Sequence, residues 1–230
     1  MAGSLLSSED YVIVYGTGAA DTPQDLDDLF VRGLCSECRR PLGARNDTAL
    51  NYQQSGRNRA FNGCLLQTPD QRGPTIHLFS SGFLNLLAAE ELAGLHMRAA
   101  VNIGRPYKEL YELTGSSYHV EQVELPNGRP AARCSCGSCG WCPPPQYWEE
   151  SHLPSWFAER FPKNDLSRPY TFIDAGRVHA DRPPIFTVGD WRNLVSIALP
   201  AERWRALHAT TTVTRRSLSG IGHSYLGLVA

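Results

Sequence analysis

Two short cysteine pairs, roughly a hundred residues apart, constrain this chain more than any other feature: Cys35-Ser-Glu-Cys38 and Cys136-Gly-Ser-Cys139. Two residues between cysteines let one tight turn aim both sulfurs at a single ion. The backbone N–H groups of such a turn can also donate to the sulfurs. Four thiolates from two such turns make a closed tetrahedral zinc site. A site of this kind ties the two ends of a long chain excursion together. It has no open position for water, so it predicts a structural zinc ion and no catalytic residues. The residues alone leave the second pair of ligands open. Cys134 and Cys142 flank the second turn, and Cys139-Gly-Trp-Cys142 is an equally good C-x-x-C.

The chain holds seven cysteines. An odd number, clustered at this spacing without a secretory leader, fits reduced thiols in the cytoplasm better than a disulfide framework. The first residues lack a basic region followed by an apolar run. No stretch approaches the apolar length of a membrane span. The remaining cysteine, Cys64, has no partner nearby in sequence and reads as a buried structural thiol. The formal net charge of −1 gives no electrostatic footprint for nonspecific nucleic-acid binding. Locally, Asp21, Asp25, Asp27 and Asp28 precede Arg32, Arg39, Arg40 and Arg45, a mixed-sign surface around the first turn.

With 230 residues, 42% of them apolar, the chain can bury a sizeable core. Residues 11–15, Tyr-Val-Ile-Val-Tyr, read as a strand ended by Gly16-Thr-Gly18. Residues 23–30 read as a short helix capped by Thr22. The polar stretch 44–75 reads as a long irregular connection. Residues 76–80 read as a strand, and Phe83, Leu84, Leu86, Leu87, Leu92 and Leu95 make the apolar stripe of one helix ending near Gly94. Extended segments follow at 97–103, Tyr107–Leu113 and 118–124, then a turn at Pro126-Asn-Gly128. Pro143-Pro-Pro145 stiffens the exit from the second cysteine turn. The aromatics of 146–170 read as a satellite core. A second strand-helix-strand unit follows: Leu194–Leu199, a helix opened by Pro200 with Trp204 and Leu207 inward, and extended Thr211–Thr214. The units 76–103 and 185–219 form a weak internal repeat. The expectation is a single α+β domain over 1–230. Its two related strand-helix-strand halves are at about 1–125 and 143–230, with an inserted zinc-ribbon-like site built from turns 35–38 and 136–139.

In order and spacing the chain resembles the double-CXXCG motif proteins, a bacterial family grouped among myxobacterial paralogues. Some of its members are immunity proteins for contact-delivered toxins. The resemblance is carried by the first C-x-x-C, the Leu-rich segment Phe83–Leu95, the second C-x-x-C-G at Cys136–Gly140, Ile173-Asp174, and Phe186-Thr-Val-Gly189-Asp190-Trp191. It spans residues from about 30 to 215, and only the cysteine turns are individually specific. It implies Cys35, Cys38, Cys136 and Cys139 as ligands, since Gly140 follows the second turn; glycine there frees the backbone to turn back toward sulfur. The first turn departs from the pattern: Arg39 stands where the family has glycine.

No H-E-x-x-H pair, nucleophile elbow, P-loop or dinucleotide fingerprint occurs. Three functions stay open. One is a non-enzymatic immunity protein that binds a cognate toxin, as the resemblance implies. Another is a zinc-ribbon adaptor in nucleic-acid machinery, against which the near-neutral charge argues. The third is an enzyme whose site is assembled from residues distant in sequence. The face that would bind a partner is not readable from the sequence.

Overall fold

A computed structural model of the chain describes residues 11–37, 39, 41–54, 60–66, 75–104, 108–121, 136–139, 171–179, 181–189, 195–209 and 212–229. The expected turn at Pro126–Gly128, the triple proline and the aromatic segment 146–170 lie outside these residues.

The β-branched run at the start forms β1 (Tyr11–Gly16), and its alternation decides its place. Val12 and Val14 point into one core, Tyr11 and Ile13 into another. A strand with both faces buried belongs in the middle of a sheet. β1 lies between β12 (Val195–Pro200) and β13 (Ile221–Val229), antiparallel to both. β10 (Thr171–Asp174), β11 (Phe186–Gly189) and β9 (His119–Glu121) complete a six-stranded sheet in the order β10-β13-β1-β12-β11-β9. A second, five-stranded sheet runs β2-β4-β5-β8-β6. Its strands are β2 (Gly18–Ala20), β4 (Gly63–Leu66), β5 (Ile76–Ser80), β8 (Leu110–Ser116) and β6 (Leu95–Ala99). β3 (Asn51–Tyr52) and β7 (Val101–Asn102) form a short parallel pair.

The two sheets share a core of Val12, Val14, Phe79, Leu113, Ile197 and Leu199 with Phe83, Trp204 and Leu207 from the helices. The chain crosses between sheets where glycines permit backbone contact. A Cβ on Gly16 would overlap the Cys64 backbone, and one on Gly63 would lie 2.7 Å from the Gly220 carbonyl and 3.0 Å from the Gly16 Cα. The Gly16-Thr-Gly18 pattern is therefore a packing feature. Beneath the second sheet, Leu26, Leu29, Phe30, Leu34, Leu50 and Tyr52 cover Leu66, Ile76, Leu78 and Leu110. An ion triad pins this cover. Glu112 on β8 accepts from Arg45 Nε at 2.7 Å, Arg45 Nη2 at 3.0 Å and Arg98 Nη2 at 3.1 Å. Its side chain is 3% exposed.

The element mix is α+β, with more of the described residues in strands than in helices and with short helices between the strands. Four local expectations are corrected. The single helix over 83–95 is two one-turn helices, α1 (Ser81–Leu84) and α2 (Ala89–Leu92), followed by β6. Ser80 Oγ caps α1, and Ala88 is extended (ψ 157°), so the helix breaks between them. Second, the supposedly irregular stretch 44–75 contains β3 and β4. β4 sits between β2 and β5. Third, Thr212–Thr214 is not extended: it opens helix α4 (Thr212–Ser217), which follows α3 (Ala201–Ala209). There the need to carry the chain from α3 to β13 overrides the strand preference of threonine. Fourth, the 23–30 helix is a 3₁₀ turn (Leu26–Leu29) capped by Asp25, whose side chain accepts from Asp27 N. Thr22 instead accepts from Gln24 N.

Each sheet contains one split β-α-β unit. β5 and β6 run parallel on either side of antiparallel β8, joined through α1 and α2. β12 and β13 run parallel on either side of antiparallel β1, joined through α3 and α4.

Candidate metal centre

The first cysteine turn stands at the tip of a small hairpin. Its backbone bonds are Val31 N to Ala44 O and Leu42 N to Gly33 O, each 3.0 Å, with Leu34 bridging Pro41. Asp27 braces the base. Its Oδ1 accepts from Leu34 N at 2.6 Å, and its Oδ2 pairs with Arg39 Nη1 at 3.3 Å. At the tip Arg39 N donates to Cys35 O at 2.9 Å, closing the turn. Arg39 has φ +59°, the one described non-glycine residue at positive φ. The residue standing in place of glycine thus adopts the backbone conformation that glycine serves, at a cost of about 1–2 kcal/mol.

The second turn, 136–139, directs the Ser138 and Cys139 backbone N–H groups at the Cys136 sulfur. The two turns meet. Cys35, Cys136 and Cys139 place their sulfurs within 4.8 Å of one another, and Cys35 Sγ lies 3.5 Å from Cys136 Sγ. Cys35 is 2% exposed and Cys136 8%. In a tetrahedral site with Zn–S bonds of about 2.3 Å, neighbouring sulfurs are about 3.8 Å apart. The Cys35–Cys136 separation is close to that edge length, and three sulfur donors with no oxygen donor in the group suit a soft or borderline cation.

Loss of solvent pushes the Cys136 thiol up to about 12; the Ser138 and Cys139 amides oppose this, and the thiols of Cys35 and Cys139 add to it. Crowded thiols resist ionising together. A bound cation supplies the positive charge that reverses this balance, so metal binding here would release protons.

Glu37, between the cysteines of the first turn, reaches the second. Its Oε2 accepts from Ser138 N at 3.1 Å, from Ser138 Oγ at 3.1 Å and from the Cys136 thiol at 3.3 Å. Those bonds, led by the one from Cys136, hold its carboxyl below the usual range.

The structure therefore brings together three of the four expected ligands, Cys35, Cys136 and Cys139. The fourth, Cys38, and the alternatives Cys134 and Cys142 lie outside the described residues. Searched against protein-family models, curated proteins and solved structures, the chain matches none. The resemblance to the double-CXXCG proteins accordingly rests on the motifs themselves.

Sequence reasoning missed Asp27, Arg39 and Glu37 as parts of the centre. The available signal was position: Glu37 lies inside the C-x-x-C, and Arg39 takes the motif's glycine place. Asp27 was hidden in an acidic run. Cys64, by contrast, is fully buried far from these thiols in sequence and accepts from Gln54 Nε2 at 2.7 Å. Burial pushes it up to about 11, which keeps it a protonated packing group. Among the described residues, no helix is long and apolar enough to cross a membrane.

Proposed function

We propose that this chain is a non-enzymatic binding protein of the double-CXXCG type. It neutralises a cognate toxin by direct contact in the cytoplasm, with one structural zinc ion held by Cys35, Cys38, Cys136 and Cys139. The observation that carries the metal reading is the meeting of thiols from two distant turns, with the 3.5 Å approach of Cys35 and Cys136 at its centre. The zinc would supply a cross-link and no reaction step, because four thiolates leave no open position.

The reading includes the architecture: two related halves, each a split β-α-β unit, with a zinc-ribbon-like site set on the first. What supports it is that both sheets contain parallel strands flanking an antiparallel one. For the partner, the supporting features are the family pattern and the exposed carboxylates of Asp21, Asp25 and Asp28, which suit a basic toxin surface. Asp27 is not part of that face, since Leu34 and Arg39 engage it.

Two experiments test the proposal. Metal analysis of the purified protein is expected to give one zinc per chain; a folded, metal-free protein would refute the centre. Co-expression with a toxin encoded by the neighbouring gene is expected to rescue growth. If the toxin kills equally with and without this protein, the immunity reading fails and a zinc-ribbon adaptor becomes the leading idea.

A further inference from the structure

The two cysteine turns are about a hundred residues apart and come from separate parts of the chain. No β-ladder among the described residues joins them. Besides the sulfurs, one carboxylate of the first turn reaches the second. Glu37 extends from the first turn and takes a backbone N–H, a hydroxyl and a thiol from the second, all on Oε2.

From this geometry we infer that Glu37 is a clasp that sets the second cysteine turn in register with the first, so that the sulfurs converge before an ion joins them. It is a positioning residue and not a ligand. The inference rests on the metal reading for its purpose but not for its existence, because every contact it invokes is between protein groups. Its chemistry separates into shape and charge. A neutral amide at the same position keeps an oxygen to accept the Ser138 N–H. Alanine keeps nothing. A carboxylate 3.3 Å from Cys136 also repels a thiolate, so what the clasp contributes to affinity comes through position.

The test uses the full chain as wild type, Glu37→Gln and Glu37→Ala. In metal-free protein the Ser138 amide is expected to exchange with deuterium slowly in wild type and Glu37→Gln, and at least tenfold faster in Glu37→Ala. Cobalt(II) titration, read by thiolate-to-metal absorption and competed with a chelator, is expected to show Glu37→Ala binding 10- to 100-fold more weakly. Glu37→Gln should stay within about threefold of wild type or bind more tightly. Equal exchange at Ser138 in wild type and Glu37→Ala overturns the clasp. So does equal cobalt affinity, or a Glu37→Gln variant as weak as alanine. If wild type binds neither cobalt nor zinc, the metal reading falls, and the exchange comparison alone decides the clasp.

Discussion

Replacing Glu112 by glutamine tests how the cover that carries the first cysteine turn is fastened to the second sheet. The carboxylate is 3% exposed and faces two guanidinium groups. Three charge-assisted bonds end on it, at 2.7, 3.0 and 3.1 Å. Taken singly, such bonds are worth about 1.5–3 kcal/mol each. They do not add, because the same burial that strengthens them also costs desolvation. The relevant quantity is the charge left behind. Glutamine keeps one acceptor but presents an amide N–H₂ to a guanidinium and leaves two cations without their counter-ion. Breaking a buried pair in this way costs about 3–5 kcal/mol. Arg45 is also the group that holds the Leu29, Asn46 and Thr48 carbonyls, so the loss falls on the cover. Urea unfolding, followed by tryptophan fluorescence, is the assay. The expected result is a midpoint shift equivalent to 3–5 kcal/mol, with the amides of 29–46 losing exchange protection first. A loss below about 1 kcal/mol, the range of a surface pair, would refute the claim that this triad is sequestered and structural.

Arg39→Gly is expected to exceed Arg39→Ala in stability by about 1 kcal/mol, because glycine relieves the positive φ while both lose the Asp27 pair; equal stabilities in denaturant titration would contradict the strain. His77 is buried, its Nδ1 has no hydrogen-bond partner among the described residues, and burial holds its imidazole down at about 4. The unfolded chain binds that proton below about pH 6.5 and the folded one only near pH 4, so the contribution of His77 to stability is level above 6.5 and falls between 6.5 and 4, by up to about 3 kcal/mol. His77→Phe is expected to flatten that part of the pH–stability curve relative to wild type, and parallel curves would refute it. Cys35→Ser is expected to lower the melting temperature more than Cys64→Ser and to remove its sensitivity to chelators, since only the first touches the metal cluster; equal melting temperatures would contradict the ligand assignment.

The legible parts of this fold are those whose residues report their own surroundings. β1, β5 and β12 are apolar runs whose burial follows from composition, and Trp204 and Leu207 point inward on α3 because their spacing matches one helix face. The cysteine turns were legible because two residues between ligands is a geometric requirement of the ion. β4 was not legible. It is four residues long, its glycine is set by a crossing backbone, and its neighbours in sequence are polar. The break between α1 and α2 was equally hidden, since the leucine stripe continues across it. Leu84 at the end of α1 and Leu87 in the connection to α2 meet the same core. Glu37 could not be recognised as part of the centre, because its meaning depends on Ser138, which sits on a distant turn.

The central position of β1 has a consequence for how the chain comes to its fold. Its two neighbours, β12 and β13, begin at Val195 and Ile221, near the other end of the sequence. During synthesis β1 leaves the ribosome first and waits for about 180 residues before either neighbour exists, roughly 10–40 s at ordinary elongation rates. The five-stranded sheet, contained between Gly18 and Ser116, is complete well before that. Its strands can pair while β1, an apolar ribbon with both edges open, has no sheet to join. An early stop or a truncation beyond β11 would therefore leave the five-stranded sheet without the β12 and helix residues of its shared core, tethered to an exposed, aggregation-prone strand.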